Sequence, residues 1–365
     1  MFLKGGPCDR LFFWPVRMIK IFVLILLTHS GILNSQELTL KQKNNYAWQI
    51  ALDAKNFSPG LIDGIWGGKT SSALKEYLDS IDYSGTISQA KVDKELLSKL
   101  NVLENDVFTK YTISDQDISE IGHIPKNWNE RAELKKMTYE SLPELVQGKF
   151  HCSLKSLKKL NPTIDFKDYA EGAVLTVPNI RPYKKINIKK LEIDLIERKI
   201  SGYDDENNKI LLLNCSVARS KENLPKSDTF IKNKALNPNY TFNPKYWPEI
   251  KNVDKVLIIQ PGPKNPVGLA WISLNLPGYG VHGTPVPDNI GKTGSHGCIR
   301  LTNWHAIHLL KSINVGVPVI MIGKSPSTDY LNSEDINTIK HSEDRDAESS
   351  NVQILQGDQR VKEDE

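Results

Sequence analysis

Long apolar runs are almost missing from this 365-residue chain. The longest, Ile21-Phe22-Val23-Leu24-Ile25-Leu26-Leu27, is far short of the ~20 residues a membrane span needs. Cysteine is scarce, with four residues in all and none in Cys-x-x-Cys spacing, which argues against a zinc site and leaves no metal centre to expect. No large excess of either sign is present: the formal net charge is +4, and nucleic acid is not expected among the partners. A charged fraction of 25% with hydrophobics at 39% describes a soluble globular protein long enough for two or three compact units.

What is there begins with Met18 to Leu33, where Lys20 precedes the apolar run and small and polar residues follow it, the layout of an export signal. Translation is expected to start at Met18 rather than Met1, with cleavage near Ser35. Residues 1–35 are therefore read as an export signal or an uncleaved N-terminal anchor, the only expected tie to a membrane. Cys8 lies in that segment, leaving Cys152, Cys215 and Cys298 in an exported chain. If Cys298 must stay reactive, Cys152 and Cys215 either pair in an oxidising compartment or remain two buried thiols. Residues 324–365 carry five Lys or Arg against eleven Asp or Glu, about −6, and are expected to be a disordered acidic tail. Without that tail and residues 1–35 the body is near +7, suited to an anionic polymer or simply an ordinary soluble surface.

Residues 44–100 read as helical, with Trp48, Ala51 and Leu52 at helix spacing before Pro59-Gly60 breaks the pattern. Turns follow at Asp63-Gly64 and Gly67-Gly68, and Thr70 is placed to cap a helix bearing Ala73, Leu74 and Tyr77. The order helix, Ile62-Asp63-Gly64-Ile65-Trp66-Gly67, Lys69-Thr70, helix resembles the small peptidoglycan-binding domain of many wall enzymes. Residues 101–137 are polar and weakly periodic, a linker. Thr138 to Val146 begins a helix that Phe150 to Ser153 closes, and Leu154 to Leu160 forms a second, stopped by Asn161-Pro162. Gly172 to Pro178 reads as a strand. With a short first strand at Lys136-Met137-Thr138, residues 138–181 resemble a LysM module, a resemblance that implies binding of glycans containing N-acetylglucosamine.

From Ile186 the period becomes two: Leu191 to Ile196, Ile210 to Leu213, Val256 to Ile259, Ala270 to Leu274 and Val317 to Ile322 are strands. Thr302 or Asn303 can cap a helix bearing Ala306, Ile307, Leu309 and Leu310. His282-Gly283-Thr284 and Ser295-His296-Gly297-Cys298-Ile299-Arg300 put two histidines and a cysteine within seventeen positions. A thiol becomes a nucleophile as its thiolate, and imidazole is the usual acceptor for its proton. His305 and His308 read as ordinary surface or core histidines, and His123 and His151 have no partner pattern.

The motif and residues 186–323 around it resemble the L,D-transpeptidase (YkuD-like) catalytic domain, supported by the Gly262-Pro263 turn and the Gly268 to Ile272 strand. One departure is Pro225 to Phe230, where Asp228 stands in place of the family's usual glycine. The resemblance implies a mainly β catalytic domain of β-sandwich type behind the two smaller modules, peptidoglycan as partner, and a place in the periplasm or cell envelope. It implies no cofactor. It makes Cys298 the nucleophile and His282 the proton carrier, oriented by the Gly283 carbonyl, with Ser295, His296 and Gly297 around the oxyanion position. Arg300 holds a substrate carboxylate or a local acid. The implied reaction cleaves a stem tetrapeptide through a Cys298 thioester and passes the acyl group to an amine, giving 3-3 crosslinks. Hydrolysis by the same site, or a wall-binding protein without catalysis, are the alternatives.

Overall fold

The computed structural model describes residues 38–323 apart from 92, 102–105, 168, 170, 248 and 293–296. The expected export segment (1–35), the acidic tail (324–365), Cys8, Ser295 and His296 lie outside the described residues.

Thr39 opens helix α1 (Leu40–Ala54) with a reciprocal cap, its hydroxyl accepting from the Gln42 amide while the Gln42 side chain accepts from its own. The Leu61–Gly67 turn then folds over the buried Gln49, whose Oε1 accepts from the amides of Asp63 and Gly64 at 2.9 and 2.8 Å. Gly64 has φ +71°, and a Cβ there would strike the Tyr46 ring, so both geometry and space require glycine. Helix α2 (Gly68–Ser80) starts after Gly67, not at Thr70. Thr70 is 2% exposed and faces inward, donating to the Pro59 carbonyl and accepting from Gln49. Two short helices, α3 (Ile87–Ala90) and α4 (Lys94–Lys99), complete this helical domain over a core of Trp48, Leu52, Leu74 and Leu78.

The second module runs strand β1 (Phe108–Thr112), short helices α5 (Asp115–Ser119) and α6 (Trp128–Glu133), helices α7 (Leu142–Phe150) and α8 (Leu154–Leu160), then strand β2 (Val174–Pro178). β1 and β2 pair antiparallel, Phe108 opposite Pro178, over a core of Leu142, Leu145, Val146, Leu157, Leu175 and Val177. The first strand therefore lies within residues 101–137, expected to be a linker, and not at Lys136-Met137-Thr138. Its alternation, Phe-Thr-Lys-Tyr-Thr, is half solvent-facing and reads as polar. Met137 is instead fully buried against the C-terminal domain, its amide donating to Pro261 O and its carbonyl accepting from the Lys264 amide.

That domain holds β3 (Lys190–Asp194), β4 (Lys199–Tyr203), β5 (Lys209–Asn214), β6 (Thr229–Leu236), β7 (Tyr240–Phe242), β8 (Leu257–Ile259), β9 (Ala270–Leu274), β10 (Gly280–His282), β11 (Ile299–Arg300), helix α9 (Asn303–Ser312) and β12 (Pro318–Ile322). It is mainly β, but eight strands form one continuous sheet, β11-β10-β9-β6-β12-β3-β4-β5, rather than the two sheets of a sandwich. β6 is the reason: Thr229 and Phe230 pair with β12, and from Ile231 on the strand pairs with β9, with a register shift between Ile231 and Asn233. Such a bulge bends a strand, so both halves of the sheet enclose one core with α9. Asp228, the departure before β6, accepts from the Met321 amide of β12 at 2.8 Å. The β5 edge is covered by the helical domain, where Ser58 N donates to Leu212 O and Leu212 N to Asn56 O.

Candidate active site

β10 and β11 run parallel, with Val281 beside Ile299 and His282 beside Arg300. Side chains alternate along a strand, so His282 and Arg300 share a face with Cys298, two residues before Arg300 and bonded to the Gly280 main chain. Cys298 is half-buried and packs in the cluster containing Trp271 and Tyr240. The His282 ring stacks on Trp271 of β9, centroids 5.5 Å apart, and Trp271 belongs to the cluster against which Cys298 packs.

The imidazole is fixed from behind. His282 Nδ1 lies 2.6 Å from the Gly283 carbonyl, which accepts only from a protonated nitrogen, and the Val267 main chain bonds the same ring. Gly283 packs closely against Asn303: a Cβ at Gly283 would meet Asn303 Oδ1 at 2.2 Å, and that same oxygen accepts from the Leu269 amide at 3.1 Å. Asn303 Nδ2 donates to Pro263 O. The helix cap is left to Thr302, whose hydroxyl accepts from the His305 amide. Sequence alone reads Asn303 as a possible cap and Trp271 as a strand residue; nothing local marks either as a support of the site.

Burial disfavours the charged form of both chemical groups. Burial pushes the Cys298 thiol up to about 11, against the pull of the Gly280 hydrogen bond and the Arg300 guanidinium. Burial likewise lowers His282 to about 4, helped by the Arg300 charge. The thiol donates to the Gly278 carbonyl at 3.3 Å. Gly297 has room in this state, since an added Cβ would meet only the Tyr279 ring at 3.9 Å and Asn223 O at 4.0 Å.

Arg300 is half-buried, its charge disfavoured by that burial, and no carboxylate among the described residues pairs with it. It faces an open cleft of ≈ 520 Å³ lined with Ser216, Thr284, Val286, Asn289 and Ile290. Cys152 and Cys215 are fully buried, unpaired thiols, so the disulfide alternative does not hold. No group of three or more His, Cys, Asp or Glu among the described residues is arranged to hold a metal. Away from the cleft, His151 and His305 converge on the buried Asp53, although neither shows a partner in the sequence.

The sequence of this domain is similar to those of known proteins. The YkuD profile, the L,D-transpeptidase catalytic domain, matches residues 189–321. A putative L,D-transpeptidase from the ATP synthase subunits region of Fuscovulum blasticum is 30% identical over 135 residues, covering 36% of this chain and 68% of that protein. The chain belongs to the L,D-transpeptidase (YkuD) family. The putative L,D-transpeptidase YqjB of Bacillus subtilis is 27% identical over 165 residues, 44% of this chain and 81% of its own length. Among solved structures, an L,D-transpeptidase from Mycobacterium smegmatis aligns at 16% identity with a TM-score of 0.29, over 44% of this chain and 79% of that one. The β domain is thus an L,D-transpeptidase catalytic domain, and the protein is an enzyme.

Proposed function

We propose that this L,D-transpeptidase acts on peptidoglycan stem tetrapeptides by a thioester on Cys298, in the periplasm or cell envelope after export. The observation that supports the reading is the oriented imidazole: Nδ1 is committed to the Gly283 carbonyl on a strand beside the segment that carries Cys298, which leaves Nε2 as the nitrogen proposed to take the thiol proton.

Cys298 Sγ attacks the carbonyl carbon of the L-centre of a diamino acid while its proton passes to His282 Nε2. The tetrahedral oxyanion is held by donors around Gly297, with Ser295 and His296 proposed among them; each such donor is worth about 3 kcal/mol. The oxyanion collapses, the C–N bond to the terminal D-alanine breaks, and His282 returns the proton to the departing amine. A second stem's side-chain amine then attacks the thioester, loses a proton to His282 and releases the thiol, leaving a 3-3 crosslink. Water in place of that amine gives a carboxypeptidase. Incubation of purified tetrapeptide muropeptides separates the outcomes: dimers indicate transfer, tripeptides hydrolysis, and unchanged tetrapeptides overturn the reading.

A resting pair of neutral groups makes a distinct pH profile. His282 serves as base only while unprotonated, so kcat/KM is expected to fall as pH drops through about 4, and the thiol sets an alkaline limb near 11. A thiolate–imidazolium resting pair would instead let iodoacetamide alkylate Cys298 at a pH-independent rate across neutrality, and rate measurements between pH 3 and 11 decide between them.

The unpaired Arg300 guanidinium facing the cleft supports a role in holding a donor carboxylate. Charge-assisted hydrogen bonds contribute roughly 1.5–3 kcal/mol, so Arg300→Gln is expected to raise KM for tetrapeptide about 10- to 100-fold while changing kcat far less. A KM within twofold of wild type would assign Arg300 a packing role instead.

The helical domain is proposed to bind peptidoglycan and the β1-α7-α8-β2 unit to bind glycan as a LysM-like module. Pull-down of the Cys298→Ala protein with insoluble peptidoglycan checks that attachment independently of turnover.

A further inference from the structure

Both accessory modules reach the same short loop of the catalytic domain. Lys69, in the first turn of α2, donates from Nζ to the Ile290 carbonyl at 2.7 Å. Gln147, 2% exposed near the end of α7, donates from Nε2 to Asp288 Oδ2, also at 2.7 Å. The loop is a 3-10 turn, Pro287–Asn289, followed by Ile290 and Gly291. It leaves the strand carrying His282 and leads toward the strand that follows Cys298.

The fit is specific on both sides. Gly291 has φ +78°, and a Cβ there would sit 3.2 Å from Lys69 Nζ, so the glycine leaves the space that the lysine end fills. The Lys69 ammonium is half-buried with no acid against it among the described residues: burial depresses its charge, the nearby Lys292 adds repulsion, and the Ile290 carbonyl is its acceptor. A charge in such a place is costly unless its hydrogen bonds are satisfied, which ties its position to the loop backbone. From the catalytic side, Arg198 donates to the Gly291 carbonyl at 3.0 Å, and Ser216 Oγ accepts from the Gly291 amide at 2.8 Å. Ser216 exchanges two main-chain hydrogen bonds with Arg300, at 2.8 and 2.9 Å. The loop thus connects the accessory modules to the backbone of Arg300, and its own Asn289 and Ile290 form a wall of the cleft that Arg300 faces.

We propose that Lys69 and Gln147 are positioning residues for the 287–291 loop, so that docking of the two accessory modules sets the wall of the cleft that Arg300 faces. The consequence for substrate rests on the function proposed above; the consequence for the loop does not. The helical domain is attached elsewhere through the β5 edge and the Lys209–Glu76 ion pair, and the second module through the Met137 main chain and the ion pairs of Lys264 with Glu140 and Glu144, so these two side chains can be altered without undocking either module.

The full chain is compared as wild type, Lys69→Met, Gln147→Met, Lys69→Arg and, as a control for loosened docking away from the loop, Lys209→Met. Amide hydrogen exchange across residues 287–292 is expected to quicken about tenfold in Lys69→Met and in Gln147→Met, and to stay at the wild-type rate in Lys209→Met. Lys69→Arg, which keeps a cationic donor, returns exchange toward wild type. With tetrapeptide muropeptides, KM rises about tenfold in the two Met variants while kcat stays within about twofold. Loop exchange at the wild-type rate in both Met variants overturns the proposal, as does faster exchange that Lys209→Met reproduces. Faster exchange with an unmoved KM removes the link to the cleft. If wild type leaves tetrapeptides untouched, the proposed reaction fails, and the exchange comparison still decides whether these residues hold the loop.

Discussion

Cys298→Ala is expected to abolish acyl transfer while leaving the fold intact. Loss of a catalytic nucleophile costs on the order of 10⁶ in kcat where nucleophile and base act as a unit, as a thiol and the imidazole that deprotonates it do. The structural cost is small: Cys298 is half-buried at the edge of the cluster around Trp271 and Tyr240, and removing one sulfur there costs roughly 1 kcal/mol or less. No other described thiol can take over. Cys152 and Cys215 are both 0% exposed, and burial pushes the Cys152 thiol up to about 12 and Cys215 higher still. Intact-protein mass spectrometry after exposure to tetrapeptide or a carbapenem reads the result: one adduct on wild type and none on Cys298→Ala, with matching melting curves. An adduct of unchanged yield on the variant would place the nucleophile elsewhere.

The motif was legible because its chemistry is local. His282 ends β10 and Cys298 immediately precedes β11, the strand paired with it, so a short sequence separation brings the two segments side by side without help from distant parts of the chain. The period-two strands and the Thr302-capped helix were legible for a related reason, since alternation and capping are short-range signals. Thr70 misled because a threonine before an apolar helical stripe looks like a cap, whereas Gln49, 21 residues earlier, draws its hydroxyl inward. Met137 misled for the opposite reason: its strand-like contacts are real, but they are made with Pro261 and Lys264 of another domain. The continuous sheet was hidden in a single register shift within β6, which leaves no compositional trace. Asn303 was seen only as a possible cap, although its side chain bonds Leu269 and Pro263 and packs against Gly283, whose carbonyl orients His282.

The least legible feature carries the largest expected effect on stability. Asp53, at the end of α1, is buried and accepts from Tyr183 Oη at 3.1 Å; His151 Nδ1 lies 2.8 Å and His305 Nε2 3.4 Å from its carboxylate. Around it His151 stacks on Trp304 and Tyr183 on His308, so helical domain, second module, connecting chain and catalytic helix α9 meet at one carboxylate. Its partners are 98, 130 and 252 positions away, beyond any sequence pattern. Asp53→Ala would leave two imidazoles and a phenol buried with no common acceptor, and loss of one partner from a buried charged group costs about 3–5 kcal/mol. Asp53→Asn, which keeps the shape and one acceptor oxygen, is expected to cost less. Burial alone would raise the Asp53 carboxyl, but the adjacent imidazoles of His151 and His305, through charge and hydrogen bonding, hold it well below the usual carboxylate range. A depressed carboxylate contributes stability that is fully present above its unfolded value and is lost as pH falls through the folded one. Wild type should therefore exceed Asp53→Asn in denaturant midpoint at pH 7, and the gap should close progressively as the pH is taken below about 4. A gap that is constant with pH would mean that Asp53 contributes by shape and hydrogen bonding alone, and its charge would not be what joins the modules.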